Sequence, residues 1–277
     1  QYTFPAVSLT PGQRGVIVRD LTAFEFRYGS GLNVIGQFDA GGLSNGGEQL
    51  KLVDGQGQTV LEFSYNDNDP WSERADGFGG TLEVIDPTGT PADQFGKYYR
   101  WRGSTESGGT PGTAGSGSVG VVINEVLAHT DPPVNEPDSI ELYNTTGSAI
   151  DLSGWQLSDA AGNFMKYEIP AGTVIAAGGY RVFDQDDFNP TPLSPGPHDF
   201  GLSGTSGDDV WLTIPDGNGD VAWFVDDVHF LASPNGESFG RVPNGSGRLV
   251  PQQNTTLGGT NSSPRVGPLG ISELNYS

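Results

Sequence analysis

The chain repeats itself, and its two copies do not start at the same point. Near the beginning runs Tyr2-Thr-Phe-Pro-Ala6, then Leu9-Thr-Pro-Gly12, then Val16-Ile-Val18; later comes Tyr167-Glu-Ile-Pro-Ala171, then Ile175-Ala-Ala-Gly178, then Val182-Phe183. Pro5 and Pro170 are 165 residues apart. The match continues through Gly42-Leu-Ser-Asn-Gly-Gly-Glu48 and Gly201-Leu-Ser-Gly-Thr-Ser-Gly-Asp208. It then passes through the polar turns Asp54-Gly-Gln-Gly57 and Asp216-Gly-Asn-Gly219, to Thr110-Pro-Gly-Thr113 and Leu257-Gly-Gly-Thr260. A repeat of this kind marks one structural unit used twice. The second copy opens with about 45 residues, 121–166, that have no counterpart ahead of Gln1. Ile123-Asn-Glu-Val126 returns as Ile271-Ser-Glu-Leu274 near the other end, so the opening begins again there. The expected organisation is a first domain over 1–113 lacking its opening strands, a complete domain over 119–262, and the first strand of a further one over 266–277. The Gly/Ser/Thr-rich stretches 104–118 and 254–268 read as flexible linkers between them.

Each unit reads as strands. Residues 119–127 and 139–143 alternate apolar and polar side chains with period two. The Asp-Gly turns lie between such runs, as hairpin turns do, because glycine supplies the positive φ they need. Short strands at this spacing predict an all-β chain, a sandwich or a barrel. The best helix candidate is Leu21–Tyr28, with Asp20 as N-cap and Gly29 as stop. The equivalent point at Asp187-Phe188 runs into Pro190, which leaves room for one turn at most.

Composition narrows the function. The chain has 13 Lys and Arg against 34 Asp and Glu, a net charge of −21. Residues 1–118 carry 8 basic and 14 acidic side chains, and residues 119–277 carry 5 and 20. Nucleic-acid binding needs a basic footprint, and anionic lipid repels such a surface, so neither is an expected partner. There is no cysteine, which excludes disulfides and thiolate metal sites. No apolar run approaches a membrane span, so no membrane insertion is expected.

Four blocks then stand out in order: Ile123-Asn-Glu-Val126, Ser139-Ile-Glu-Leu-Tyr-Asn144, Asp151-Leu-Ser-Gly-Trp155-Gln-Leu-Ser-Asp159 and Ile169-Pro-Ala-Gly-Thr-Val-Ile-Ala-Ala-Gly-Gly-Tyr180. With these blocks the chain resembles the lamin tail domain family, in particular its bacterial secreted members. The resemblance covers residues 119–262, the later blocks alone in 1–113, and the opening strand alone in 266–277. It implies tandem immunoglobulin-like β-sandwich domains with no catalytic residues, Trp155 as core filler and Gly154 and Gly178 as turn residues. It also implies extracellular or cell-surface use.

Several residue groups are candidate sites. Glu125 and Glu141 sit in neighbouring strands, and Glu273 repeats Glu125. Paired carboxylates suit acid/base chemistry, but no His, Lys or Ser motif accompanies them, so a solvated strand face or an ion pair with arginine is the expectation. Asp216, Asn218 and Asp220 alternate oxygen ligands as the first part of a calcium loop does, yet lack its bidentate glutamate; a plain turn competes with a calcium site. Asp184-Gln-Asp186-Asp187 and Asn66-Asp-Asn-Asp69 add further acidic loops, and no other cofactor is expected. His129, His198 and His229 lie far apart, in turns or at the surface. Five Asn-x-Ser/Thr matches, at Asn144, Asn244, Asn254, Asn261 and Asn275, fit the glycosylation pattern. In Lys97-Tyr-Tyr-Arg-Trp101-Arg102, a strand would put Tyr98, Arg100 and Arg102 on one face. Three uses of it stay open: a last strand with Trp101 in the core, a patch docking on an acidic neighbouring domain, or a platform for glycan.

The leading expectation is a non-catalytic structural protein, a cell-surface rod, filament or matrix whose partner is itself. Ile271, Glu273, Leu274 and Tyr276 would serve as a donated strand head to tail. The alternative is a glycan- or surface-binding module of a larger exported enzyme.

Overall fold

Strand boundaries follow the alternating apolar runs throughout. In the computed structural model, which describes residues 2–266, the chain divides into two compact units, Gln1–Gly117 and Ser118–Ser277. The first holds β1 (Val16–Val18), helix α1 (Leu21–Tyr28), β2 (Val34–Gln37), β3 (Glu48–Val53), β4 (Thr59–Tyr65), β5 (Leu82–Val84) and β6 (Trp101–Gly103). They form three two-stranded ladders: β1 with β2 in parallel, and β3–β4 and β5–β6 antiparallel. Helix α1 starts and stops where the sequence says. The Asp20 side chain accepts the Ala23 N–H at 2.9 Å, and Gly29, at φ 79°, donates its own N–H to Glu25 O. Phe63, Trp71, Phe95 and Trp101 pack ring against ring with centroids 5.6–6.4 Å apart.

This first unit has little interior. Val18 is the one buried apolar side chain among its described residues, while Phe4, Phe26, Leu43, Val60 and Ile85 stand exposed, Phe26 at 93%. The second unit is its opposite. It contains β7 (Val121–Leu127), β8 (Ser139–Asn144), β9 (Ile150–Asp151), β10 (Gln156–Ser158), β11 (Tyr167–Glu168), β12 (Val174–Ile175), β13 (Tyr180–Asp184), the single turn α2 (Gln185–Phe188), β14 (Gly207–Pro215), β15 (Val221–Leu231), β16 (Ser238–Val242) and β17 (Arg248–Pro251). A five-stranded sheet, β13-β8-β7-β16-β17, and a four-stranded one, β11-β10-β14-β15, supply its core. Ile123, Ile140, Leu142, Leu157, Phe183, Val210 and Leu212 are sealed from solvent, and Trp155 joins the same cluster. Each such side chain contributes about 1.5–3 kcal/mol by leaving water. Gly154 and Gly178 take φ of 77° and 63°, the left-handed turns expected of them. The result is an all-β, immunoglobulin-like sandwich.

Two linker expectations are corrected. Ser104 and Thr105 are buried, with Ser104 Oγ accepting from the Thr81 N–H and donating to Glu106 O. Residues 252–264 are likewise fixed, from the buried Gln252 to the bridge between Gln252 and Pro264. Their small polar side chains act as hydrogen-bond partners inside the fold, and only the composition resembled a linker.

Candidate functional site

Strands β7 and β8 pair antiparallel, and the register sets Glu125 directly opposite Glu141. Both carboxylates are 0% exposed. The expected solvated face or arginine partner is therefore wrong at both positions. A bulge between Ile123 and Glu125 leaves Asn124 unpaired in the ladder and turns its amide into the same buried space. The bulge also frees the backbone of Ile123, whose N–H donates to Asp226 Oδ2 at 2.7 Å and whose carbonyl accepts from Arg241 Nε at 2.8 Å. Arg241 and Asp226 then pair with each other at 2.8 Å, both mostly buried.

The closing loop, 252–264, supplies most of the donors. Glu125 Oε1 accepts from Ser238 Oγ (2.5 Å) and from the Thr256 N–H (2.9 Å); its Oε2 accepts from Thr256 Oγ1 at 2.7 Å. Glu141 Oε1 accepts from Asn124 Nδ2 (2.8 Å), and Oε2 from the Gly258 N–H (2.5 Å). Asn124 Oδ1 accepts the Gly245 N–H. Asn261 Nδ2 donates to the carbonyls of Asn124 and Arg241, and the Asn261 N–H to Asn244 Oδ1. A carboxylate with a donor on each oxygen avoids most of the cost of burial. The cost left over appears at Glu141. Burial pushes its pKa up to about 7, the negative charge of Glu125 adds to this, and the Asn124 and Gly258 donors pull the other way.

This arrangement defines what the pair can do chemically. Each of the four carboxylate oxygens accepts from an N–H or O–H of the protein. The pair binds the loop: two neighbouring strands hold residues 256–261 by their backbone and side-chain donors. Sequence reasoning took Asn261 only as a glycosylation match and Gly258 only as part of a repeat block, and assigned neither them nor Thr256 to the glutamates. The available signal was Asn124-Glu125 inside an apolar strand, because a polar pair there requires partners from elsewhere in the chain.

The other expected positions separate. Asp216 Oδ1 accepts the backbone N–H groups of Asn218 and Asp220, and these bonds, Asn218 first, lower its pKa. Asp54 Oδ1 takes the N–H groups of Gln56 and Gln58 in the same way, so both repeats close this hairpin alike although the first has no carboxylate at position 58. His129 Nδ1 lies 2.6 Å from Ser233 O, and His229 Nδ1 lies 2.7 Å from Asp209. Asn144 is fully buried, donating to Ser148 O and Ile175 O, which withdraws it from the glycosylation pattern in the folded domain. Residues 97–102 do not form one strand. Tyr98–Arg100 is a turn of 3-10 helix and β6 starts at Trp101, so Tyr98, Arg100 and Arg102 do not share the predicted strand face. Arg102 pairs with Glu83 at 3.2 Å, and Arg100 bonds to Gln94. Ile271, Glu273, Leu274 and Tyr276 lie outside the described residues.

No curated protein matches the chain. The family model described as Lamin Tail Domain matches residues 114–229, from just ahead of β7 through most of β15. The opening hairpin and the Trp155 turn lie inside that match while β16 and β17 lie beyond it, and residues 114–229 are similar to the lamin tail domain family.

Proposed function

We propose that the chain is a non-catalytic structural protein of the extracellular space or cell surface, in which lamin-tail-type units stand in series as a rod, filament or matrix. The use made of Glu125 and Glu141 carries this reading. They are the pair best suited to acid/base work, and their oxygens are taken by Ser238, Thr256, Asn124 and Gly258. The polar chemistry of this pair closes the sandwich. The acidic surface suits an exposed, soluble module, and the recurrence of one unit along the chain suits a serial arrangement.

Size-exclusion chromatography and negative-stain electron microscopy of the purified chain test the proposal. Assemblies that grow with concentration are the expected result. A compact monomer at all concentrations that binds a glycan would overturn it in favour of the accessory-module reading.

A further inference from the structure

We propose that Lys166 and Asp159 join covalently: the lysine amine condenses with the aspartate side chain to an isopeptide bond, one water is lost, and Asp208 carries the protons of the step. The bond gives a covalent staple to a chain that has no cysteine. It stands independently of the structural reading above.

The two side chains meet across the turn of the β10–β11 hairpin. Lys166 Nζ contacts Asp159 Oδ1, and only 16% of the lysine and 18% of the aspartate side chain are exposed. The Phe200 ring lies under the amine, its centroid 5.9 Å away. The turn itself is pinned. Ser158 Oγ donates to Asn163 O at 2.6 Å and accepts the Ala160 N–H at 3.0 Å, and Phe164 packs on Trp211 and Phe224 with centroids 5.0 and 5.4 Å apart. Reacting groups held in contact behave as though at very high concentration. Ser158 pairs with Trp211, so Asp159 runs alongside the start of β14, where Asp208 sits. Asp208 is anchored by the Ser203 N–H on Oδ2 at 2.8 Å and the Asp209 N–H on Oδ1 at 3.0 Å. Burial raises its pKa and the negative charge of Asp159 adds to this, against those two hydrogen bonds.

The residue types agree. Lys166 is the one lysine between residues 118 and 277. The ion pairs to Asp226 and Glu237 in that unit are made by Arg241 and Arg265. A guanidinium keeps its proton, whereas a buried ammonium gives it up, so lysine is the cation whose nitrogen becomes a nucleophile. In a site mostly shut from water, one proton moving from Nζ to Oδ1 turns the ion pair into a neutral amine and a neutral acid. The amine lone pair then bonds to Cγ of Asp159. The Asp208 carboxyl gives its proton to the departing hydroxyl and takes the one released by nitrogen; the Cγ–O bond breaks and water leaves. The product is a neutral amide, formed without oxidant or reductant. It ties β11, a two-residue strand at the edge of its sheet, to β10.

Intact mass spectrometry of the purified full chain, followed by tryptic digestion in denaturant, tests the bond. The chain should weigh less than its sequence by one water, and the Lys166–Tyr167 peptide bond should resist trypsin, which needs a free lysine side chain. Fragmentation should place the missing water between Asp159 and Lys166, which separates the bond from dehydration at the Asp-Gly steps 54–55, 76–77 and 216–217. Lys166→Arg keeps a cation beside Asp159 that cannot condense; this variant should regain the water and be cut after position 166. Asp208→Asn should keep the circular dichroism of the wild type and stay largely unlinked. A wild-type chain at its full sequence mass, or one cut after Lys166, overturns the proposal. A fully linked Asp208→Asn chain overturns the role given to Asp208.

Discussion

At the residue scale, Glu141 is the group whose surroundings are most out of balance. Its pKa of about 7 lies above the ordinary 4.5, so between these values the folded chain holds a proton that the unfolded chain has released. Stability contributed by that proton is full below about pH 4.5 and is lost as pH rises through 7. Glu141→Gln removes this titration. The predicted result is a difference between the urea midpoints of the wild type and this variant that moves with pH. From pH 5 to pH 8 the wild type should lose on the order of 1–3 kcal/mol relative to the variant. A constant difference across that range would mean Glu141 is ionised throughout. None of this was visible in the sequence, where Glu141 is one polar position in an alternating strand. One of its donors, the Gly258 N–H, lies 117 residues away.

At the element scale, the sequence was most readable where the determinants are local. Helix α1 was bounded correctly because Asp20 and Gly29 act within one turn of the helix they delimit. The β7–β8 pairing followed from period-two alternation. Residues 97–102 were misread because the aromatic and basic alternation is compatible with a strand, while the backbone turns at Tyr98–Arg100 to bring Trp101 Nε1 within 2.6 Å of Phe95 O. The closing loop was misread because Gly, Ser, Thr and Asn make both good linkers and good hydrogen-bond partners. Its contribution is measurable at Asn261. Replacing it with alanine strands the carbonyls of Asn124 and Arg241. At about 1–3 kcal/mol for each buried group left unpaired, Asn261→Ala should cost the second unit roughly 2–4 kcal/mol in denaturant unfolding. A loss under about 0.5 kcal/mol would mean that water replaces the amide freely.

At the scale of the whole molecule, the two units differ in how they are stabilised. The second unit has opposed sheets and a sealed interior; the first has three two-stranded ladders, and a ladder of two strands is marginal in water without a face to cover it. Sequence similarity between the copies implies equal stability, and the structure implies the reverse, because among the described residues of 1–117 Val18 alone is a buried apolar side chain. Calorimetry of the full chain should therefore show two separate transitions. The sharp one belongs to the second unit and should approach ~0.7 kcal/mol of enthalpy per residue near 60 °C. The first unit should unfold at lower temperature, broadly, and with well under that enthalpy. Tryptophan emission from Trp71 and Trp101 should change in the lower transition, and loss of amide protection at Leu142 and Leu212 should follow the upper one. A single cooperative melt of the whole chain would show that residues 1–117 are as well stabilised as the second unit despite their sparse burial.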